Sequence, residues 1–179
     1  MGERLELMIS ERHIRARTAA LGRRIDADHR GAVLSLVVVL KGAAVFAADL
    51  MRQIKTPSTL DFVAASSYGS GTRSSGRVAL DGIAGLDIAG RHVLIIEDIL
   101  DTGRTVAAID AALRARAPAS LALCALLRKP AARELALPVA HIGFDIADDF
   151  VVGWGMDYAE RYRNLRGIYR LILDGRSAL

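Results

Sequence analysis

At 179 residues the chain suits one domain with a sizeable core, and its 52% apolar and 25% charged content is that of a folded globular protein. The net charge of +4 is modest and the arginines are spread along the chain, which speaks against a nucleic-acid partner and suits a small polyanionic substrate. No apolar run reaches membrane-span length, no signal-type apolar region follows Met1-Gly2-Glu3-Arg4, and the one cysteine, Cys124, sits in an apolar run; the expectation is a cytoplasmic protein with a buried thiol and no membrane partner.

Residues 4–29 place Ile14, Ala20, Leu21 and Ile25 at helical spacing behind Ser10, a suitable N-cap. This predicts an amphipathic helix over one face of a sheet, with no chemistry. The apolar run Ala32 to Leu40 reads as a strand buried on both faces. It ends in Lys41-Gly42-Ala43, and a helix follows to about Arg52. A lysine at the carboxyl end of a buried strand is either a surface terminator or an anion ligand, and composition leaves the two even. Pro57 breaks the next connection, and Thr59 to Ser66 alternates as a strand. The run Ser67 to Gly76 is rich in Gly, Ser and Thr. It is either a plain hairpin tip or a lid over a reacting centre, and long loops in compact domains favour the lid. Arg77 to Leu80 makes the return strand.

Val93 to Ile96 reads as a buried strand closed by two carboxylates, Glu97 and Asp98. Asp101 then opens a loop through Thr102-Gly103-Arg104 to Thr105, and an alanine-rich helix runs from Val106 to about Arg116. Ligands of open α/β sheets bind outside the carboxyl ends of the strands, and a strand-to-helix loop aims N–H groups at an anion. The segment therefore offers acids for a metal or a sugar diol, then a phosphate cradle. Plainer readings fit less well. A solvated turn does not need three acids, two Thr and a Gly within nine residues. A Walker B strand would come with a G-x-x-x-x-G-K-[ST] loop, which the chain lacks. A phosphoaspartyl enzyme would space its acids differently. Ser120 to Leu127 is a further buried strand, ending in Arg128-Lys129-Pro130. Pro130 keeps Lys129 out of helical geometry and so on the same rim as Lys41 and Glu97. Short segments at 141–145 and 148–152 and a last strand at 167–173 complete a chain with no repeat, linker or second domain.

Val93 to Thr105 resembles, nearly residue for residue, the phosphoribosyl-pyrophosphate (PRPP) motif of the type I phosphoribosyltransferases. Leu40-Lys41-Gly42-Ala43 is similar to the pyrophosphate loop of the hypoxanthine-type members, in which the peptide before the lysine is often cis. Ser67-Tyr68 is similar to the start of their lid. Phe150-Val151-Val152-Gly153-Trp154-Gly155-Met156-Asp157-Tyr158-Ala159-Glu160-Arg161-Tyr162-Arg163 is similar to the second diagnostic block of the hypoxanthine and hypoxanthine-guanine phosphoribosyltransferases. Trp154, Gly155 and Arg104 depart from the residues common there, which bears on substrate preference rather than on the reaction.

The resemblance implies an α/β fold: a central parallel sheet with flanking helices, plus a small hood. It implies a single domain over 1–179, its hood built from the N-terminal segment and roughly residues 130–179. It implies transfer of the phosphoribosyl group from PRPP to N9 of hypoxanthine or guanine, with Mg²⁺ as cofactor and a homo-oligomer, dimer or tetramer, as the assembly. In that scheme Asp101, Thr102, Gly103, Arg104 and Thr105 hold the 5′-phosphate, and Glu97 and Asp98 take the ribose hydroxyls and orient the metal. Asp157 is a metal ligand on the pyrophosphate side, and Lys41, Gly42 and Arg163 hold the pyrophosphate. Phe150 stacks on the purine and the Val151 backbone reads its edge. Lys129 donates to O6, which an ammonium, having donors only, does for a 6-oxopurine and not for adenine. Asp101 is the general base. The rival readings are a xanthine-preferring enzyme and a nucleotide-sensing RNA-binding regulator on the same fold; no basic-aromatic stripe supports the latter.

Overall fold

The computed structural model describes residues 2–67, 78–134 and 139–173. The elements run in the order β1 (Glu3–Ile9), α1 (Glu11–Asp28), β2 (Leu34–Leu40), α2 (Ala44–Met51), β3 (Ser58–Ser67), β4 (Val78–Asp81), β5 (His92–Leu100), α3 (Arg104–Arg114), β6 (Ser120–Arg128), a 3₁₀ turn (Pro130–Glu134), β7 (Val139–Asp145), β8 (Val151–Val152) and β9 (Ile168–Leu173). A six-stranded sheet has the order β4-β3-β2-β5-β6-β7. All its neighbouring strands pair parallel except the edge strand β4. The carboxyl ends of β2, β3, β5, β6 and β7 therefore share one rim.

The long apolar runs follow from burial on both faces. On β2, Leu34, Leu36 and Val38 enter the cluster that includes Ile14, Leu21 and Ile25 of α1 and Phe46 and Leu50 of α2. The alternate residues Val37 and Val39 pack on the other face with Ile109 and Leu113 of α3. The same alternation holds on β5, with Leu94 and Ile96 on one face and Val93 and Ile95 on the other. Cys124 is fully buried, and loss of solvent drives its thiol pKa far above the ordinary range.

Residues 4–29 do not form one helix. Glu3–Ile9 is a strand, paired antiparallel with β9 from the far end of the chain. Its alternating ERLELMI pattern is satisfied by that partner, which local sequence does not reveal. Ser10 is the N-cap of α1 in an extended conformation, but its Oγ meets His13 Nδ1 at 3.1 Å and no backbone N–H. With β8, β1 and β9 form a second, three-stranded sheet in the order β1-β9-β8, built from segments near both ends of the chain.

Candidate active site

β5 extends past the expected acidic end. Glu97 and Leu100 are still in register with Ala125 and Arg128 of β6, so Glu97 and Asp98 are strand residues rather than turn residues. The ladder with β6 carries the strand on through both acids. Gly103 then turns the chain with φ 74°, a conformation that glycine adopts without Cβ strain. α3 starts at Arg104, two residues before the expected Val106, so Thr105 lies in its first turn, where backbone N–H groups lack partners within the helix.

Two adjoining clefts open on the rim. The first, about 230 Å³, is lined by Gly42, by Glu97 and Asp98, and by the whole loop Asp101 to Thr105. Glu97 is only 6% exposed; burial first, and Asp98 beside it second, push its carboxyl well above the ordinary range. Gly42 has a steric reason to be glycine, because a Cβ there would sit 1.8 Å from Asp98 Oδ2. The Leu40–Lys41 peptide is cis.

The second cleft, about 210 Å³, is lined by Lys129, Asp149, Phe150, Val151, Met156 and Asp157, together with Asp98, Ile99 and Asp101. Asp98, Ile99 and Asp101 thus belong to both clefts. Phe150 is 54% exposed and meets Tyr158 edge-on at 5.7 Å, so it is not a core aromatic. Lys129 is 9% exposed. Its Nζ lies 3.3 Å from Asp101 Oδ2 and 3.1 Å from Asp148 Oδ1. Burial opposes the ammonium, but the two carboxylates outweigh it and its pKa stands above the usual lysine range.

A polar cluster flanks these clefts. Arg163 donates to the Gly155 carbonyl at 2.8 Å and pairs with Asp157 at 2.9 Å. Glu160 Oε2 lies 3.2 Å from Lys41 Nζ and 3.3 Å from Arg163 Nη2. Hydrogen bonds from Lys41 and then Arg163 hold the Glu160 carboxyl below its ordinary range. Lys41 and Arg163 line neither cleft, but Gly42 and Asp157 beside them do. Among the described residues no three or more His, Cys, Asp or Glu side chains gather into a metal-binding group. The donor chemistry still suits Mg²⁺, which keeps water and substrate oxygens and needs only one or two carboxylates. Of the expected lid pair, Tyr68 lies outside the described residues and Ser67 ends the backbone of β3.

Sequence reading passed over Asp148, Asp149 and Glu160. Asp149 lines the second cleft and is held by Arg170 at 2.8 Å. Asp148 and Asp149 adjoin Phe150, so adjacency to the second diagnostic block was their one signal. Glu160 lies inside that block without a distinguishing pattern.

An acid pair inside a parallel strand, a helix start that follows it and a second cleft with a buried cation meet on the carboxyl rim of an α/β sheet. Residues 9–161 match the phosphoribosyl transferase domain. The chain is 45% identical over 175 residues to the hypoxanthine phosphoribosyltransferase of Salmonella typhimurium, covering 97% of this chain and 98% of that one. It is 46% identical over 170 residues to the hypoxanthine-guanine phosphoribosyltransferase of Mycobacterium avium, covering 92% and 84%. A crystal structure of a hypoxanthine phosphoribosyltransferase from Staphylococcus aureus superposes with a TM-score of 0.87 at 41% identity, covering 93% of this chain and 91% of that one. The protein belongs to the phosphoribosyltransferase family and has its type I fold.

Proposed function

We propose that the protein is a purine-salvage enzyme that moves the 5-phosphoribosyl group of PRPP to N9 of hypoxanthine or guanine, giving IMP or GMP and pyrophosphate. The observation that carries this is the pair of clefts meeting at Asp98, Ile99 and Asp101. One half suits a phosphorylated ribose and the other suits a base, so the bond to be made falls at their junction.

The whole chain, 1–179, acts as one phosphoribosyltransferase domain in this reading. The Asp101 to Thr105 loop holds the 5′-phosphate with N–H groups and the two Thr hydroxyls, and Arg104 adds positive charge. Glu97 and Asp98 take the ribose hydroxyls. Lys41, Gly42 and Arg163 hold the pyrophosphate, and Arg163 presents a planar fork to it. Ser67 and Tyr68 begin the lid. Phe150 stacks on the purine, Val151 reads its edge with backbone groups, and Lys129 donates to O6. The C1′–O bond to pyrophosphate breaks as N9–C1′ forms, and the proton on the purine N7 side passes to Asp101. Carboxylates near the ribose carbon and cations near the leaving group match the charge that develops. Glu97, Asp98 and Asp157 would hold Mg²⁺, which supplies charge neutralisation on PRPP.

Hypoxanthine, guanine, xanthine, adenine and orotate, each incubated with PRPP and Mg²⁺, test the reading. IMP and GMP are expected, with no AMP and no orotidylate. Equal use of adenine, or no nucleotide from any base, would overturn it. A cytoplasmic location is part of the proposal. Among the described residues no helix is long and apolar enough to cross a membrane. Association into a homo-oligomer, dimer or tetramer, belongs to the same proposal.

Lys129→Gln is expected to lower kcat/KM for both 6-oxopurines by more than tenfold. A charged donor to a buried acceptor is worth roughly 1.5–3 kcal/mol. The change also leaves Asp101 without its ion-pair partner. Steady-state kinetics checks it, and wild-type values would make Lys129 a strand terminator only.

A further inference from the structure

We propose that Glu160 is an internal competitor for the pyrophosphate end of the site: its carboxylate holds Lys41 and Arg163 until a diphosphate displaces it. This deepens the reading of Lys41 and Arg163 as pyrophosphate ligands and rests on it.

One oxygen, Oε2, reaches both cations, at 3.2 Å and 3.3 Å. The cations lie far apart in sequence, yet this single anion joins them, as a bridging phosphoryl oxygen would. The backbone beneath it is unusual. Tyr158 and Arg161 exchange backbone hydrogen bonds of 3.1 Å and 3.0 Å around Ala159 and Glu160. Ala159 has φ 50° and Glu160 φ 62°. Two left-handed residues in a two-residue loop make the turn type that favours Asn-Gly. Neither residue here is one that the turn prefers, so turn formation does not account for a Glu at this position. The Glu160 amide donates to Asp157 Oδ2 at 2.9 Å, which fixes the tip of the turn beside the cations.

The pair is readily exchanged. Lys41 is 69% and Glu160 67% exposed at the side chain, so water competes with their contact. A diphosphate offers several charged oxygens in place of one and wins the cations. In the empty site Glu160 keeps the two side chains together and offsets their charge. After transfer it competes for the same donors and hastens departure of pyrophosphate.

The test is calorimetric titration of wild type, Glu160→Gln and Glu160→Gly with sodium pyrophosphate in Mg²⁺ buffer, together with product inhibition by pyrophosphate. Gln keeps the side-chain volume, and Gly suits the left-handed turn. Each variant removes the charge. Both are expected to bind pyrophosphate roughly three- to tenfold more tightly, the factor that one or two exposed ion pairs supply. Disrupting a supporting residue would not raise affinity, so the gain separates competition from scaffolding. Unchanged or weaker binding in both variants overturns the proposal, and where wild type still forms IMP the functional reading survives that result. A wild type that forms no nucleotide overturns the functional reading, and the proposal with it.

Discussion

Asp101→Asn is expected to lower kcat for nucleotide formation by about 10²–10⁴, the usual cost of losing a general base, while PRPP affinity changes far less. Asp101 is the titratable residue that lines both clefts and also touches the base-side cation, with Oδ2 3.3 Å from Lys129 Nζ. Asn is nearly isosteric and keeps a hydrogen-bonding oxygen, but it does not accept the purine proton as a carboxylate does. The phosphate end is insulated from the change. Gly103 makes the turn and the start of α3 supplies the N–H groups, and neither depends on the Asp101 carboxylate. Lys129 keeps its second partner, Asp148, at 3.1 Å and so stays charged and close to its place. Steady-state kinetics with direct PRPP binding measures both quantities. A loss of PRPP binding in proportion to activity would make Asp101 part of the phosphate scaffold and send the search for the base elsewhere.

Nucleotide formation is expected to fall to background in excess chelator and to return with Mg²⁺ or Mn²⁺. PRPP brings a polyanion against a rim that already carries Asp98, Asp101 and Asp157. The cations on that rim are partly spent before substrate arrives: Lys129 faces Asp101 and Asp148, and Arg163 faces Asp157 and Glu160. A divalent ion between substrate oxygens and carboxylates removes the repulsion that would otherwise oppose binding. Assays in metal-free buffer, then with each ion restored, measure this. An undiminished rate without metal would contradict it.

Much of the fold was legible because its causes are local. Runs such as Leu34–Leu40 and Ser120–Arg128 are apolar on both faces, and that pattern specifies a covered parallel strand whatever its neighbours are. The carboxyl-end rule then put Lys41, Glu97 and Lys129 on one rim before any pairing was known. The first strand was missed for the opposite reason. Glu3–Ile9 is stabilised by β9 from the other end of the chain, and a short mixed segment read alone looks like a helix lead-in.

By itself the sequence determined the acid pair, the loop from Asp101 to Thr105 with a helix after it, and the buried strands that reach Leu40, Glu97-Asp98 and Arg128. Each depends on residues within a few positions of one another, where covalent adjacency already sets the geometry. Tertiary structure decided which charges meet. Lys129 reaches Asp101 across 28 positions and Lys41 reaches Glu160 across 119, and neither pairing leaves a mark on its own segment. The parallel sheet brings Lys129 beside Asp101, since β6 lies next to β5 and both end on one rim. The left-handed turn at Ala159 and Glu160 carries the second pairing, because it sets a carboxylate where the end of β2 delivers Lys41.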